Sequence, residues 1–579
     1  MYFLGIFGGH GPNPAAALLH DETLLAFAEE ERFSRVKNAP SVLPIKSILF
    51  CLEKAGINAE QLDEIGVAWN SNRYVEELPK FLANIKDRYP SEGREYNELH
   101  ERKLLTAFHP ISIKEGIRFS LAKVGHIINP EKIRFFDHHQ CHAASAFYAS
   151  GFDRALIFTI DGSGEEYCTV EWIGSAGSIR MLRSHKLPDS LGGYYGTFTE
   201  FLGFRINSEE GKLMGLAPYG EYDQGIQDKL SDFLSFDSEK GTYSVDPTYR
   251  FYGPRTFNSH FTDKLVDTFG APRLGTDPIK KYHQDLAFNV QWRLEMVVSA
   301  LIRNRVIEYG VRDVCIAGGV GMNCKMNGVV STLDCIDRLY VQPAASDNGT
   351  ALGAACLLAK KSGKKLHKVM PHPYWGPDYS DAEILKAIKE AKFAFSSPKN
   401  LAQEVAIELN RGKIIGWFQG RSEVGARALG GRSILANPLL PDMRDKLNLE
   451  VKHRESWRPF CPSMTVESFP RYFGHQEPAE FMIVAYKIKE EFQDILPAAV
   501  HVDGSVRPQA VRKDTNKKFH ELLCAFERLS GHPVLINTSF NIQGEPIVET
   551  PKDALRCFGG TGIDVLVIGK YLVRKGIDE

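Results

Sequence analysis

Two imidazoles, His138 and His142, stand four positions apart in the run Asp137-His138-His139-Gln140-Cys141-His142-Ala143-Ala144-Ser145-Ala146. Ahead of the run, residues 132–136 alternate like a strand; behind it, Ala, Phe and Tyr continue as a helix up to Gly151. On a helix that spacing points both rings from one face about a turn apart, as two ligands sharing a metal ion must be. It equally describes a histidine-rich first turn with Asp137 as N-cap. Asp347, in Ser346-Asp347-Asn348-Gly349 before the helix 350–360, either caps that helix or supplies the hard oxygen that two histidines lack. Asp161 ends the strand 155–160, where it forms an Asp-Gly turn or faces what lies beyond the sheet edge.

Other stretches point to anions. Strand 314–317 opens into Gly318-Gly319-Val320-Gly321-Met322-Asn323 and a helix, presenting free N–H groups and a helix dipole to a phosphate or ribose. That run is neither a Walker loop nor GxGxxG, so a tight strand–helix connection explains it as well. Lys212 is a lone cation among small and apolar residues 209–220. Between 420 and 460, Arg427, Lys452, Arg458 and further basic residues mix with glycines and do not fall on one helix face; Arg507 and Asn537 follow. Guanidinium forks match phosphate and carboxylate oxygens bidentately, so a phosphorylated small molecule is the favoured ligand.

These groups need a scaffold. The 579 residues, 43% hydrophobic and 25% charged, suit several globular domains. A net charge of -2 gives no global reason to invoke nucleic acid or an anionic membrane. The 10 cysteines form no CxxC pair, which suits a reducing compartment. No apolar run approaches the roughly 18 residues of a membrane span, so a soluble, cytoplasmic chain is expected. A Gly-turned hairpin followed by helices and a strand occurs near residue 1 and again near residue 153, the order a duplicated α/β core would show. Residues 1–360 are read as one domain, 361–398 as a linker and 399–579 as a second domain. Residues 70–130 read as a covering insertion and 221–280 as a polar, loop-rich segment.

Taken together the motifs carry a resemblance: DHHxxHAASAFYASGF (137–152), DGSGE (161–165), EGKLMGLAPYG (210–220), AGGVGMNCKMNG (317–328), SDNGTALGAA (346–355), GRSEVGARALGGRSIL (420–435), KHRESWRPFCPS (452–463), HVDGSVRPQ (501–509) and NTSFNIQGEPIV (537–548). The chain resembles the NodU/CmcH family of O-carbamoyltransferases nearly end to end. The resemblance implies an N-terminal domain of duplicated actin/Hsp70-like fold, similar to the tRNA threonylcarbamoyl-transfer ATPase Kae1, and a C-terminal α/β domain similar to YrdC. It implies that carbamoyl phosphate and ATP give carbamoyl-adenylate in the second domain, and that the first transfers the carbamoyl group to a hydroxyl of a small acceptor, a natural product or sugar.

By the same resemblance His138, His142, Asp161 and Asp347 hold a divalent metal, Fe2+ by family, although two imidazoles and two carboxylates also accept Mg2+ or Mn2+. His139 and His10 are candidate bases, with His139 preferred. Lys212, Gly318, Gly319, Val320 and Asn323 hold the nucleotide; Arg427, Lys452, Arg458 and Arg507 bind carbamoyl phosphate, with Asn537 at the adenylate. No nucleic-acid or membrane partner is expected, and the chain is a monomer or homodimer. Two rivals stand beside this reading. One is tRNA threonylcarbamoyl transfer, which the lack of a basic stripe disfavours; the other is a non-catalytic actin-fold nucleotide-binding regulator, which has no use for the clustered His and Arg.

Overall fold

The computed structural model describes residues 1–9, 11–86, 102, 105–250, 260–455 and 457–575. Backbone contacts divide them into two compact units, 1–30 with 38–371, and 31–37 with 372–579.

The first unit contains one sheet pattern twice. Strand β1 (Tyr2–Phe7) pairs antiparallel with β2 (Ala15–His20), which pairs antiparallel with β3 (Thr23–Glu29). On its other side β1 runs parallel to β4 (Glu64–Val67), and β4 to β5 (Ile133–Phe135). Strands β6 (Arg154–Ile160), β7 (Tyr167–Ser175) and β8 (Ser178–Lys186) repeat the antiparallel half. After a small hairpin, β9 (Leu234–Asp237) with β10 (Thr242–Val245), the parallel half returns as β11 (Asp313–Ala317) beside β6 and β12 (Arg338–Val341) beside β11. Both sheets therefore have the order 3-2-1-4-5 with the same strand senses. This is the duplicated actin/Hsp70-like α/β architecture that the repeated Gly-turned hairpins announce.

Two helices bring the halves' chemistry together. His138–Ser150 packs on β6 and β11; Asn348–Lys361 packs on β1, β2 and β4; and the helices pack on each other. Their contact is a backbone approach: a Cβ on Gly353 would lie 1.8 Å from the Cys141 carbonyl oxygen, and one on Gly5 1.9 Å from that of Ala351. Only glycine fits at either place. Helix His138–Ser150 is buried all round, so its alanines supply close packing, and its polar residues gather at its first turns.

The segment 70–130 contributes helices Ser71–Lys86 and Pro110–Ala122; residues 87–101, 103 and 104 of it, and 251–259 of the segment 221–280, lie outside the described residues.

The second unit is built on an eight-stranded mixed sheet. Its strands are β13 (Ala394–Ser396), β14 (Ile415–Phe418), β15 (Arg432–Ala436), β16 (Cys461–Thr465), β19 (Gln509–Val511), β20 (Val534–Ser539), β21 (Val565–Ile568) and β22 (Tyr571–Arg574); β17 (Tyr486–Lys487) and β18 (Ser505–Val506) pair apart. Alternate residues feed two cores, Phe418, Ile434 and Ile536 on one face and Trp417, Leu435 and Leu535 on the other, as a strand period of two demands. Residues read as a linker contain helix Asp381–Ala391 and edge strand β13, which pairs with β22. The sequence reading did not foresee that residues 31–37 join this unit. There Arg32 Nη2 donates to the Gly425 carbonyl at 3.0 Å, and Arg35 donates to those of Ile547 and Pro546 at 2.6 and 2.9 Å. Among the described residues no helix is long and apolar enough to cross a membrane.

Candidate functional site

In the first unit the four expected ligands converge. One ligand atom each from His138, His142, Asp161 and Asp347 lies within 4.8 Å of the other three. His142 Nε2 is 3.1 Å from His138 Nε2, 3.0 Å from Asp161 Oδ2 and 3.9 Å from Asp347 Oδ1; His138 Nε2 is 3.5 Å from Asp347 Oδ1. An ion bonded at about 2.1 Å to each ligand holds ligand atoms roughly 3 to 4.2 Å apart, the range in which these four separations fall.

The tautomer fits as well. A carbonyl oxygen only accepts, so His138 Nδ1 must carry the hydrogen it donates to Ala68 O at 3.1 Å. The Nε2 lone pair of the neutral ring then faces the cluster, the usual backing of a metal-ligating histidine. Burial holds the His142 imidazolium down; at His138 burial acts the same way, but the Asp347 hydrogen bond, with Asp161 and Glu165, raises the ring to about 9. Against its burial, the His142 contact keeps Asp161 well below the carboxylate range. The raised His138 ring keeps its second proton at neutral pH until an ion takes that place; with an ion bound, two imidazoles and two carboxylates in a buried pocket are the donor set for a divalent ion of intermediate softness.

Neither aspartate acts as a helix cap. The Asp347 side chain makes no cap hydrogen bond and turns to the histidines instead. The Asp137 carboxylate accepts from Asn70 Nδ2 at 2.7 Å and Arg73 Nη1 at 3.2 Å. The start of helix His138–Ser150 is capped from outside, by Glu165. Its carboxylate accepts the His138 N–H at 3.1 and 3.2 Å and the Asn70 N–H at 2.6 Å. No local pattern reveals that role; only the fold brings Glu165 there. Asp161 is aimed by two turns, accepting from Gly162 N at 2.6 Å and Gly319 N at 3.0 Å.

The other expected residues of this unit divide. Gly318 and Gly319 do lie beside the cluster, and Val320 is buried in the same turn. Gly318 has φ +93°, and a Cβ there would meet Ile160 O at 2.2 Å. Asn323 caps its helix, accepting from Met326 N at 3.0 Å, and pairs amide to amide with Gln291 at 2.9 and 3.0 Å. Lys212 pairs with Glu209 at 2.9 Å. His139 differs from expectation: its Nδ1 is 2.9 Å from Thr159 Oγ1 and its Nε2 3.2 Å from Tyr167 O, so the buried ring is committed at both nitrogens and is not poised to take a proton from an acceptor. The ring lies about 100° round the helix from the ligand pair, and that turn carries it into the core. His10 lies outside the described residues.

In the second unit, basic groups gather around the start of β16. Arg507 donates from Nε and Nη2 to Cys461 Sγ at 3.2 and 2.9 Å. Arg454, absent from the expected set although it stands between Lys452 and Arg458, is half-buried there. It donates to Asn448 Oδ1 at 2.7 Å and covers the Phe460 ring at 4.5 Å. Burial, then Arg458 and Arg507 nearby, push it down to about 9. Arg458 reaches Glu455 at 3.8 Å, and Arg427 lies half-buried in the β14–β15 loop. Lys452 departs from expectation. Its buried ammonium is enclosed by four oxygens, Oγ and O of Ser539 and Oδ1 and O of Asn541, and so binds that loop. Burial holds it well below the usual lysine range. Asn537 is buried on β20 opposite Cys461. Neighbouring guanidiniums that lower one another's basicity are a geometry suited to an anion.

Comparison with known proteins identifies the family. The family model described as carbamoyltransferase N-terminus matches residues 4–356, and that described as carbamoyltransferase C-terminus matches residues 406–575. An uncharacterized protein of Synechocystis sp. is 35% identical over 99% of this chain and 97% of its own. Nodulation protein NolNO of Sinorhizobium fredii is 34% identical over 97% of this chain and 78% of its own, and nodulation protein NolO of Bradyrhizobium diazoefficiens 36% over 76% and 79%. Matched by both halves' models and by relatives along nearly its whole length, the chain belongs to the carbamoyltransferase family, and it is an enzyme of that kind.

Proposed function

We propose that this carbamoyltransferase works in two steps at two chemically different sites. In the second unit water attacks the phosphorus of carbamoyl phosphate, the bond from that phosphorus to the carbamate oxygen breaks to free phosphate, and the carbamate oxygen then attacks the α-phosphorus of ATP, displacing pyrophosphate and giving carbamoyl-adenylate. In the first unit an acceptor hydroxyl attacks the carbamoyl carbon; the C–O bond to AMP breaks, and AMP departs. The acceptor is a small molecule bearing hydroxyls, of natural-product or sugar type.

The observation that carries this reading is the segregation of charge. Arg454, Arg458 and Arg507 bring three neighbouring guanidiniums to the second unit, matched to a doubly charged phosphate that must bind and leave. His138, His142, Asp161 and Asp347 bring two nitrogens and two carboxylates together in the first. A divalent ion held there, Fe2+ by resemblance, supplies positive charge to an oxygen that becomes anionic during transfer. The chain's own part is to hold that donor set: Ala68 O fixes the His138 tautomer, Gly162 and Gly319 aim Asp161, and Glu165 caps the helix under both histidines. Gly318 to Asn323 offers a turn for the nucleotide beside Asp161. With His139 committed to Thr159 and Tyr167, the candidate base is His10.

The test separates the steps. Arg458→Ala is expected to abolish carbamoyl-phosphate-dependent pyrophosphate release from ATP. His138→Ala is expected to retain that release and lose carbamoyl transfer to a polyol acceptor, followed as a carbamoyl mass increment. Loss of the same single step in both variants would refute the division.

A further inference from the structure

In the first unit each sheet holds the start of the helix that follows the other sheet. Helix His138–Ser150 comes after β5 of the first sheet, and the carboxylate that holds its start, Glu165, lies in the β6–β7 turn of the second. Helix Asn348–Lys361 comes after β12 of the second sheet, and its start is held from the first. Asn13 Nδ2, in the β1–β2 turn, donates to Ser346 Oγ at 3.2 Å. Asn348 Nδ2 donates to the Glu29 carboxylate at the end of β3, and Asn348 Oδ1 accepts the Gly349 N–H at 3.1 Å. An ionised carboxylate only accepts, so the Asn348 amide has one orientation. The metal ligand Asp347 thus stands between two anchored neighbours, and the anchors lie 333 and 319 positions away in the chain.

The β1–β2 turn also touches the ligand itself. A Cβ on Gly11 would lie 3.3 Å from Asp347 Oδ2 and 2.9 Å from the Phe7 ring, so bare backbone lines that side of the carboxylate. The other oxygen, Oδ1, faces His138 and His142. The turn is fixed from behind as well: Gly9 N–H donates to Val42 O at 2.8 Å, Ser41 N–H to Gly11 O at 3.0 Å, and Asn13 N–H to Asn38 O at 2.7 Å. Asn13 has φ +60°, a left-handed conformation that asparagine adopts more readily than most residues. His10 stands in the same turn by sequence.

Resting on the proposed function, which makes His10 the base, we propose that Asn13 and Glu29 are positioning residues. Acting through Ser346 and Asn348, they fix Asp347 against the turn, and so set the separation between the bound ion and the base. Metal affinity and the transfer step then depend on two side chains that touch neither the ion nor the acceptor.

The test uses the full-length chain and Mn2+ as the probe. Asn13→Gly keeps the left-handed backbone and deletes the amide. Ser346→Ala deletes its acceptor, and Ser346→Thr puts a hydroxyl back. Mn2+ affinity is expected to fall about tenfold in Asn13→Gly and in Ser346→Ala, and to recover in Ser346→Thr. Glu29→Gln should lower it in part, and serves where either of the others does not fold. At saturating Mn2+ the weakened variants should lose kcat for carbamoyl transfer and keep KM for the acceptor, with carbamoyl-phosphate-dependent pyrophosphate release unchanged. Wild-type Mn2+ affinity in every variant that folds, or a loss that Ser346→Thr does not recover, overturns the positioning role. A wild type that binds no Mn2+ overturns the metal site, and this inference with it. A wild type that binds Mn2+ but carbamoylates no polyol acceptor overturns the proposed function and the link to the base, while the affinity series still decides the role of Asn13 and Glu29 at Asp347.

Discussion

Asp347 Oδ1 lies 3.5 Å from His138 Nε2, although the two residues begin helices that stand on different sheets. The first prediction follows from that contact. Dialysed wild-type protein should bind one divalent ion per chain, read by metal analysis and by Mn2+ titration. His142→Ala or Asp347→Asn should weaken binding at least about tenfold, by removing a direct ligand. His139→Gln should leave it unchanged, because that ring faces Thr159 and Tyr167. Equal loss in all three would show that the cluster is not the site.

Two glycines in neighbouring turns should behave oppositely. Gly318 combines φ +93° with a Cβ position 2.2 Å from Ile160 O, whereas a Cβ at Gly162 meets nothing within 4 Å. Gly318→Ala is expected to cost about 2–4 kcal/mol in denaturant unfolding, and Gly162→Ala no more than about 0.5 kcal/mol. Comparable losses would mean that the turn at Gly318 is not held as described.

Glu165 caps a helix from a distant strand end. Glu165→Ala should destabilise the chain by about 1–2 kcal/mol and weaken ion binding, since His138 begins the uncapped turn. Glu165→Gln keeps an acceptor oxygen and should recover most of the stability. Thermal unfolding beside Mn2+ titration decides; an alanine variant as stable as the wild type would remove the cap from the account.

Arg454 sets a pH dependence. Its folded value is depressed from the usual guanidinium range to about 9, by burial first and then by Arg458 and Arg507. The stability belonging to such a depressed group is present above the usual guanidinium range and lost as pH falls through about 9, so at neutral pH the half-buried positive charge is a cost that a bound anion offsets. Inorganic phosphate at 100 times its Kd should therefore stabilise the protein by about 2.7 kcal/mol near pH 7, and by less as pH rises through 9. Arg454→Met should flatten that pH dependence. Stabilisation by phosphate that is the same at pH 7 and pH 10 would count against it.

Much of the architecture was legible because it is written locally. The hairpins near residues 1 and 153 carry their own turn glycines and strand patterns, so the duplication could be read without contacts. The Lys452–Arg458 run reads as basic by composition. How its members are engaged was not legible: Lys452 closes on Ser539 and Asn541, while Arg454 is half-buried against Asn448 and the Phe460 ring. The attachment of residues 31–37 to the second unit had no local mark either, since arginine donors to backbone carbonyls leave no pattern in sequence.

The spacing of His138 and His142 determined by itself that both rings share a helix face, because 3.6 residues per turn leaves no other outcome once the helix forms. The choice between turn and ligand for Asp161, between cap and ligand for Asp347, and between base and core for His139, belonged to tertiary structure. Each depends on where a second, distant backbone passes: Glu165 takes over the cap, Gly353 lets two helices touch, and Thr159 with Tyr167 encloses a ring. Such approaches are set by the packing of whole elements, and no window of neighbouring residues contains them.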